Sequence, residues 1–201
     1  MTANENLEHP TETSARRKFL RTAGFAVGGF GLLAAAAKPA LAAGKAKPMM
    51  AGAKGDIGVL QGALALEHEG IAAYTIAGGS GLLTPDVLKI ALVFLGHHKG
   101  HRDALADLIR KAGGAPVEPR TDAQYTAELN LGALKSQGDV VTLATRLEMG
   151  ATNAYVGQIA ALQDHGLARL FAQISTDEAV HWAILNNALG GAVPTPAFIF
   201  G

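Results

Sequence analysis

Not one cysteine occurs in the 201 residues, which excludes disulfide bonds, thiolate metal sites and thiol chemistry together. An oxidising compartment stays open to the chain, because a helical bundle of this size needs no covalent staple. Aromatic residues are only 5% of the sequence while nearly half of it is hydrophobic and rich in Ala and Gly, a composition that suits closely packed helices better than a sheet. Basic and acidic side chains balance at 17 each, so charge gives no argument for nucleic acid or an anionic membrane as partner. Neither a Gly-rich phosphate loop nor a Ser/His/Asp arrangement is supported, since the Gly pairs fall where helical patterns end.

The one long apolar run, residues 22–37, is short of the roughly 20 residues needed to span a bilayer. It follows Ser14-Ala15-Arg16-Arg17-Lys18-Phe19-Leu20-Arg21 and precedes Ala40-Leu41-Ala42, the order of a removable secretory signal. The paired arginines before Phe-Leu resemble the twin-arginine class of export signal, which implies a periplasmic protein. Residues 1–42 are therefore expected to be cleaved, leaving no stable membrane anchor. The segment carries five Lys or Arg and three Asp or Glu, so the mature chain keeps 12 basic and 14 acidic side chains, a formal charge of minus two. Residues 43–55 read as a flexible mature N-terminus.

From residue 56 to 190 the sequence predicts four amphipathic helices. Leu167, Phe171, Ile174, Glu178, His181, Leu185 and Ala188 alternate at fours and threes, the core-facing stripe of a bundle helix. Glu178 and His181 thus occupy core slots, one turn apart on one face. Val87, Ala91, Phe94, His98, His101, Leu105 and Leu108 repeat the pattern, with His98 and His101 in the polar slots. Leu60, Leu64, Glu67, Ile71 and Tyr74 form a third stripe, and Val141, Glu148, Tyr155, Ile159 and Leu162 a fourth. No Lys or Arg falls on any stripe to neutralise Glu67, Glu148 or Glu178, and a lone buried carboxylate costs several kcal/mol. A metal ion is the natural partner. The structural alternative is a core histidine bonded to backbone and a core glutamate paired elsewhere.

Two segments match each other: Leu66-Glu67 followed by Ala73-Tyr74, and Leu147-Glu148 followed by Ala154-Tyr155. Glu67 precedes His98 by 31 residues and Glu148 precedes Glu178 by 30, the sign of a duplicated helix pair. This arrangement resembles the ferritin-like superfamily, and most of all its bacterial members that carry an export signal. The resemblance implies an all-α, ferritin-like four-helix bundle of two antiparallel hairpins joined by a long crossover. It makes Glu67, His101, Glu148, Glu178 and His181 the expected metal ligands. His98 stands where that family pattern has Glu, and it joins the candidate ligands as the departure.

Three carboxylates and two or three imidazoles form a hard to borderline donor set that suits iron or manganese, and also zinc. Iron implies oxidation of Fe(II) by dioxygen or peroxide, and manganese implies peroxide disproportionation. With His98 the site has three negative charges rather than four, so either one ion binds, or Glu69 or a water makes up the difference, or this half is weakened. The other reading is a non-enzymatic envelope protein that sequesters metal, protects against stress or binds a partner. His68, Glu69 and His97 lie off the stripes and are expected to be exposed; Tyr74 and Tyr155 are expected in the core beside the ligands, and Trp182 in helix packing.

Asp56 and Asp139 are expected as helix caps, Thr84-Pro85-Asp86 as the start of the second helix, and residues 163–166 as a tight turn before a helix from Leu167. Residues 115–138 show only weak apolar signals at Tyr125, Leu129, Leu131 and Leu134, and are expected to be a crossover containing some short helix. The tail 191–201 holds Phe198-Ile199-Phe200 and should pack back on the bundle or on a second subunit, which leaves a homo-oligomer possible.

Overall fold

The structure is a computed structural model, described over residues 55–201. The expected export signal and most of the expected mature N-terminal segment lie outside the described residues. Among those described, all regular structure is helical: α1 (Ile57–Gly78), α2 (Pro85–Lys111), α3 (Asp122–Glu128), a 3₁₀ turn (Leu131–Ala133), α4 (Gln137–Ile159) and α5 (His165–Ala188). The expected four-helix bundle is α1, α2, α4 and α5, with α1 against α2 and α4 against α5 as the two hairpins. Among the described residues no helix is long and apolar enough to cross a membrane.

The apolar stripes close into two layers. Near the α1 start, Leu60, Leu64, Leu105, Ile109, Tyr155 and Phe171 are fully buried together. Towards the other end, Tyr74, Phe94, Leu95, Val141 and Leu185 form the second layer. All the polar stripe residues fall in the gap between these layers, so four helices deliver them at one height. The stripe on α5 ends sooner than expected, at Leu185, because Ala188 is exposed in the last turn.

Helix ends are set by local chemistry, and several differ from expectation. Thr84 and Pro85 open α2 as expected, and Gly113 and Gly190, at φ 88° and 74°, close α2 and α5 in the left-handed conformation that glycine adopts without a Cβ penalty. Asp56 does not cap α1. Its carboxylate accepts instead from the backbone N–H groups of Gln163 (3.0 and 3.1 Å) and Asp164 (3.0 Å) in the α4–α5 turn. Ser136, not Asp139, caps α4, accepting from Asp139 N at 3.2 Å; Asp139 reaches back to Lys135 N. Asp164 caps α5, accepting from Gly166 N and Leu167 N, which starts that helix two residues before Leu167.

The crossover is more ordered than its weak pattern suggests. Thr121 and Gln124 form a complete capping box at α3. Leu129, Leu131 and Leu143 then pack with Ala73, so the isolated leucines of the crossover cover the α1–α4 face. Gln61 clamps the crossover backbone from α1, bonding both Ala115 O (2.6 Å) and Val117 N (2.8 Å). The tail folds back, as one of its two expected courses has it. Phe200 meets Trp182 edge-on at 5.3 Å, and Gly201 N donates to Asn153 on α4.

Asp56 offers a direct test of the end-to-end tie. Asp56→Ala removes three short bonds and strands two backbone N–H groups, and should lower stability by about 3 kcal/mol in denaturant unfolding. Asp56→Asn, which keeps one acceptor oxygen, should cost less. Equal midpoints for wild type and Asp56→Ala would show that the tie contributes nothing.

Candidate metal centre

The gap between the apolar layers holds Glu67 from α1, His98 and His101 from α2, Glu148 from α4, and Glu178 and His181 from α5. All but His101 are essentially buried, Glu178 being 0% exposed and Glu67 and Glu148 1%. No Lys or Arg pairs with these carboxylates among the described residues; their ionic partners are the imidazoles. All six candidates from the sequence are therefore brought together.

They form two quartets. Glu67, His98, His101 and Glu178 make one, and His98, Glu148, Glu178 and His181 the other, with donor atoms in each quartet mutually within 4.8 Å. In the first, His98 Nδ1 lies 2.8 Å from Glu67 Oε2 and 3.6 Å from Glu178 Oε1, while His101 Nδ1 lies 3.1 Å from Glu178 Oε1 and 3.6 Å from Glu67 Oε2. In the second, His98 Nε2 is 3.3 Å from Glu148 Oε1, and His181 Nδ1 is 3.4 Å from Glu148 Oε2 and 3.1 Å from Glu178 Oε2. Four donors about 2.0–2.2 Å from a tetrahedral ion would stand roughly 3.3–3.6 Å apart, so the spacing needs little adjustment. A further observation supports the fit: His101 Nδ1 and Glu178 Oε1 face each other at 3.1 Å without the angle for a hydrogen bond, and among the described residues neither makes a hydrogen bond to any other group. A buried imidazole nitrogen and a buried carboxylate oxygen left side by side without hydrogen bonds are suited to share an ion.

The duplication legible in the sequence reappears as pseudo-twofold geometry. Tyr74 of α1 donates to Glu148 of α4, and Tyr155 of α4 donates to Glu67 of α1. Burial and then the adjacent carboxylate push both phenols well above their usual range, so they remain donors. Both outer histidines turn Nδ1 inward and Nε2 outward. His101 Nε2 meets Asp177 Oδ2 at 3.1 Å, and His181 Nε2 meets His97 Nδ1 at 2.9 Å. Asp177 directly precedes Glu178, and His97 directly precedes His98. Each fixes the imidazole contributed by the opposite hairpin, which sets the ring's tautomer and aim. His97 is exposed, as expected, and still touches the site; Asp177 was not singled out by the stripes at all. Aligning the two halves one residue upstream of His98 and Glu178 is the signal that finds both.

Gly70 is the other residue that the stripes do not reveal. A Cβ there would sit 3.0 Å from His98 Cε1 and 3.1 Å from its Nδ1, so the missing side chain makes room for the ring. A cavity of about 200 Å³ opens beside it between α1 and α4, reaching His98, Tyr74 and Glu148. Glu69 borders this cavity but takes no part in either quartet; it pairs with Arg120 of the crossover at 3.3 Å. His68 likewise faces the crossover, 3.1 Å from Val117 O.

Burial alone would push the three imidazoles of the quartets down, but the glutamates close beside them overcome it and hold all three up, His101 at about 10. Burial would raise Glu67 and Glu148, yet the imidazoles hold both below the usual range; for Glu178 burial wins and its carboxyl is pushed up. A His-and-Glu bundle centre with paired phenols defines a class of helical proteins whose core could hold metal ions. The chain belongs to the ferritin-like domain family, whose model matches residues 55–191. A solved structure, of a conserved hypothetical protein from Mycobacterium tuberculosis, is similar with a TM-score of 0.58 and 26% identity, over 73% of this chain and 96% of that one. Among curated proteins none matches the chain.

The metal-free protein carries a pH signature. Imidazoles raised above the ordinary 6.5 add stability that is complete below about pH 6.5 and is lost as pH rises through their folded values, about 10 for His101. Glu67 and Glu148, held below 4.5, add stability that is lost on acidification, and Glu178 works in the opposite sense. Thermal midpoints of the metal-free protein should peak between about pH 5 and 6.5 and decline towards pH 10. A midpoint rising through pH 7–10 would contradict protonated imidazoles in the core.

Proposed function

We propose that the chain is an exported metal-binding protein whose buried centre takes two ions of iron or manganese and either oxidises Fe(II) or consumes peroxide. The observation that carries this reading is the pair of overlapping quartets, each with two carboxylates and two imidazoles, all but His101 buried. One ion would be held by Glu67, His98, His101 and Glu178, the other by His98, Glu148, Glu178 and His181. Such a pair, once bound, supplies one-electron redox steps and a Lewis-acidic seat for dioxygen or peroxide. Tyr74 and Tyr155 orient the outer carboxylates, Asp177 and His97 orient the terminal imidazoles, and the apolar layers exclude solvent from above and below. The cavity beside Gly70 is of a size for a small oxidant to approach His98 and Glu148.

Arg16-Arg17 and the apolar run after them support export by the twin-arginine route, which carries folded proteins and so fits a centre loaded before export. A second reading, a non-enzymatic envelope protein, has one observation in its favour. Three carboxylates face three imidazoles, so the core can neutralise itself with protons alone.

Metal analysis after anaerobic reconstitution with Fe(II) or Mn(II) should find about two ions per chain, and less than about half an ion would defeat the metal-centre reading. Glu178→Ala removes the residue shared by both quartets and should slow Fe(II) oxidation at least 100-fold; equal rates would leave only the binding or structural role. Replacing both Arg16 and Arg17 by Lys should retain the protein in the cytoplasmic fraction, whereas unchanged secretion would rule out the twin-arginine route.

A further inference from the structure

We propose that His98 is a bridging ligand, holding one ion through Nδ1 and the second through Nε2 in place of a bridging carboxylate. The proposal rests on the metal-centre reading above and goes further than it. A ring occupying a core slot as a bystander, or as a ligand to one ion, would aim one nitrogen at the centre and satisfy the other elsewhere. His101 and His181 do that, each with its Nε2 turned to a residue outside the quartets. His98 does not: Nδ1 points into the first quartet, 2.8 Å from Glu67 Oε2, and Nε2 into the second, 3.3 Å from Glu148 Oε1. It is the one imidazole with both nitrogens committed inward, and with Glu178 it is one of the two residues that both quartets share.

The helix facing His98 is adapted to it. Gly70 and Ala151 stand three residues after Glu67 and Glu148, in equivalent places of the two halves. Where α5 presents a carboxylate, α4 has Ala151; where α2 presents a ring, α1 has Gly70, and a methyl group at 70 would press on that ring at 3.0–3.3 Å. A glycine inside a helix costs about 1 kcal/mol relative to alanine, so the cut-back is a cost accepted for room. A decayed carboxylate position would need no such space.

Charge points the same way. Bridging requires both ring nitrogens to be bare, so every N–H proton the ring carries passes to solvent as the two ions bind, and an imidazolate with one negative charge remains. Three carboxylates and one imidazolate then balance two divalent cations, and the deficit left by the absent glutamate disappears. Because metal–nitrogen bonds of about 2.0–2.1 Å extend from opposite sides of the ring, the ions would stand about 6 Å apart. Carboxylate- or oxygen-bridged pairs stand about 3.5–4 Å apart.

The test uses the mature protein loaded with Zn(II), which is redox-inert, and reads positions by anomalous diffraction at the zinc edge together with stoichiometry and affinity by calorimetry. Two ions about 6 Å apart, each bonded to one nitrogen of His98, are the expected result. His98→Glu should keep two ions and bring them to about 3.5–4 Å. Gly70→Ala, which changes no ligand residue, should weaken Zn(II) binding at least tenfold by displacing the His98 ring. Two ions about 3.5–4 Å apart in the wild type, or a single ion, would overturn the bridge while leaving the metal centre standing. Unchanged Zn(II) affinities in a folded His98→Ala variant would do the same. No zinc in a folded wild type would overturn the metal centre itself, and the bridge with it.

Discussion

Three carboxylates sit in the middle of this bundle with no lysine or arginine among the described residues to meet them, and the rest of the structure is arranged around that fact. A buried carboxylate is tolerated only with a counter-charge and hydrogen bonds to its oxygens. Here the counter-charge comes from imidazoles on neighbouring helices and, for Glu178, also from His181 on its own helix, and a phenol reaches across the bundle to each of the two outer carboxylates. The apolar layers above and below supply the burial that makes these interactions strong, and the same burial makes them obligatory. Protons can balance these charges, although His101 Nδ1 and Glu178 Oε1 are then left without a hydrogen bond.

The fold was legible because its stripes run in a strict rhythm of threes and fours, which a helix packed in a bundle must show. The six inward polar residues were legible for the same reason, as interruptions of an apolar face. His97 and Asp177 were not, because a residue next to a core slot points some 100° away, and only the crossing of a neighbouring helix brings it into contact with the opposite hairpin. Gly70 was hidden by its lack of a side chain; what it does is a property of the partner helix. Helix boundaries failed where a residue had two possible clients. Asp56 has the right chemistry to cap α1 and spends it on the α4–α5 turn, while Ser136 displaces Asp139 from the role expected of it.

The crossover shows how little apolar signal is needed when the surface to be covered is already built. Leu129 and Leu131 alternate with polar residues and form no stripe, yet they seat on Ala73 and Leu143 of the finished bundle. Arg120 and the backbone at Ala115 and Val117 then tie the segment to α1 on the flank of the cavity. The connection thus braces Glu69, which borders the cavity, while the cavity itself is lined by the helices.

Neither hairpin owns a complete set of donors. The first brings Glu67, His98 and His101 and must borrow Glu178; the second brings Glu148, Glu178 and His181 and must borrow His98. During synthesis the leading half is therefore left with a vacancy in its coordination shell until α5 has been made. An ion captured early would be held loosely and exchange freely. A closed quartet exists only once the last helix has docked, so any ion-holding capacity would belong to the finished bundle and to neither hairpin alone.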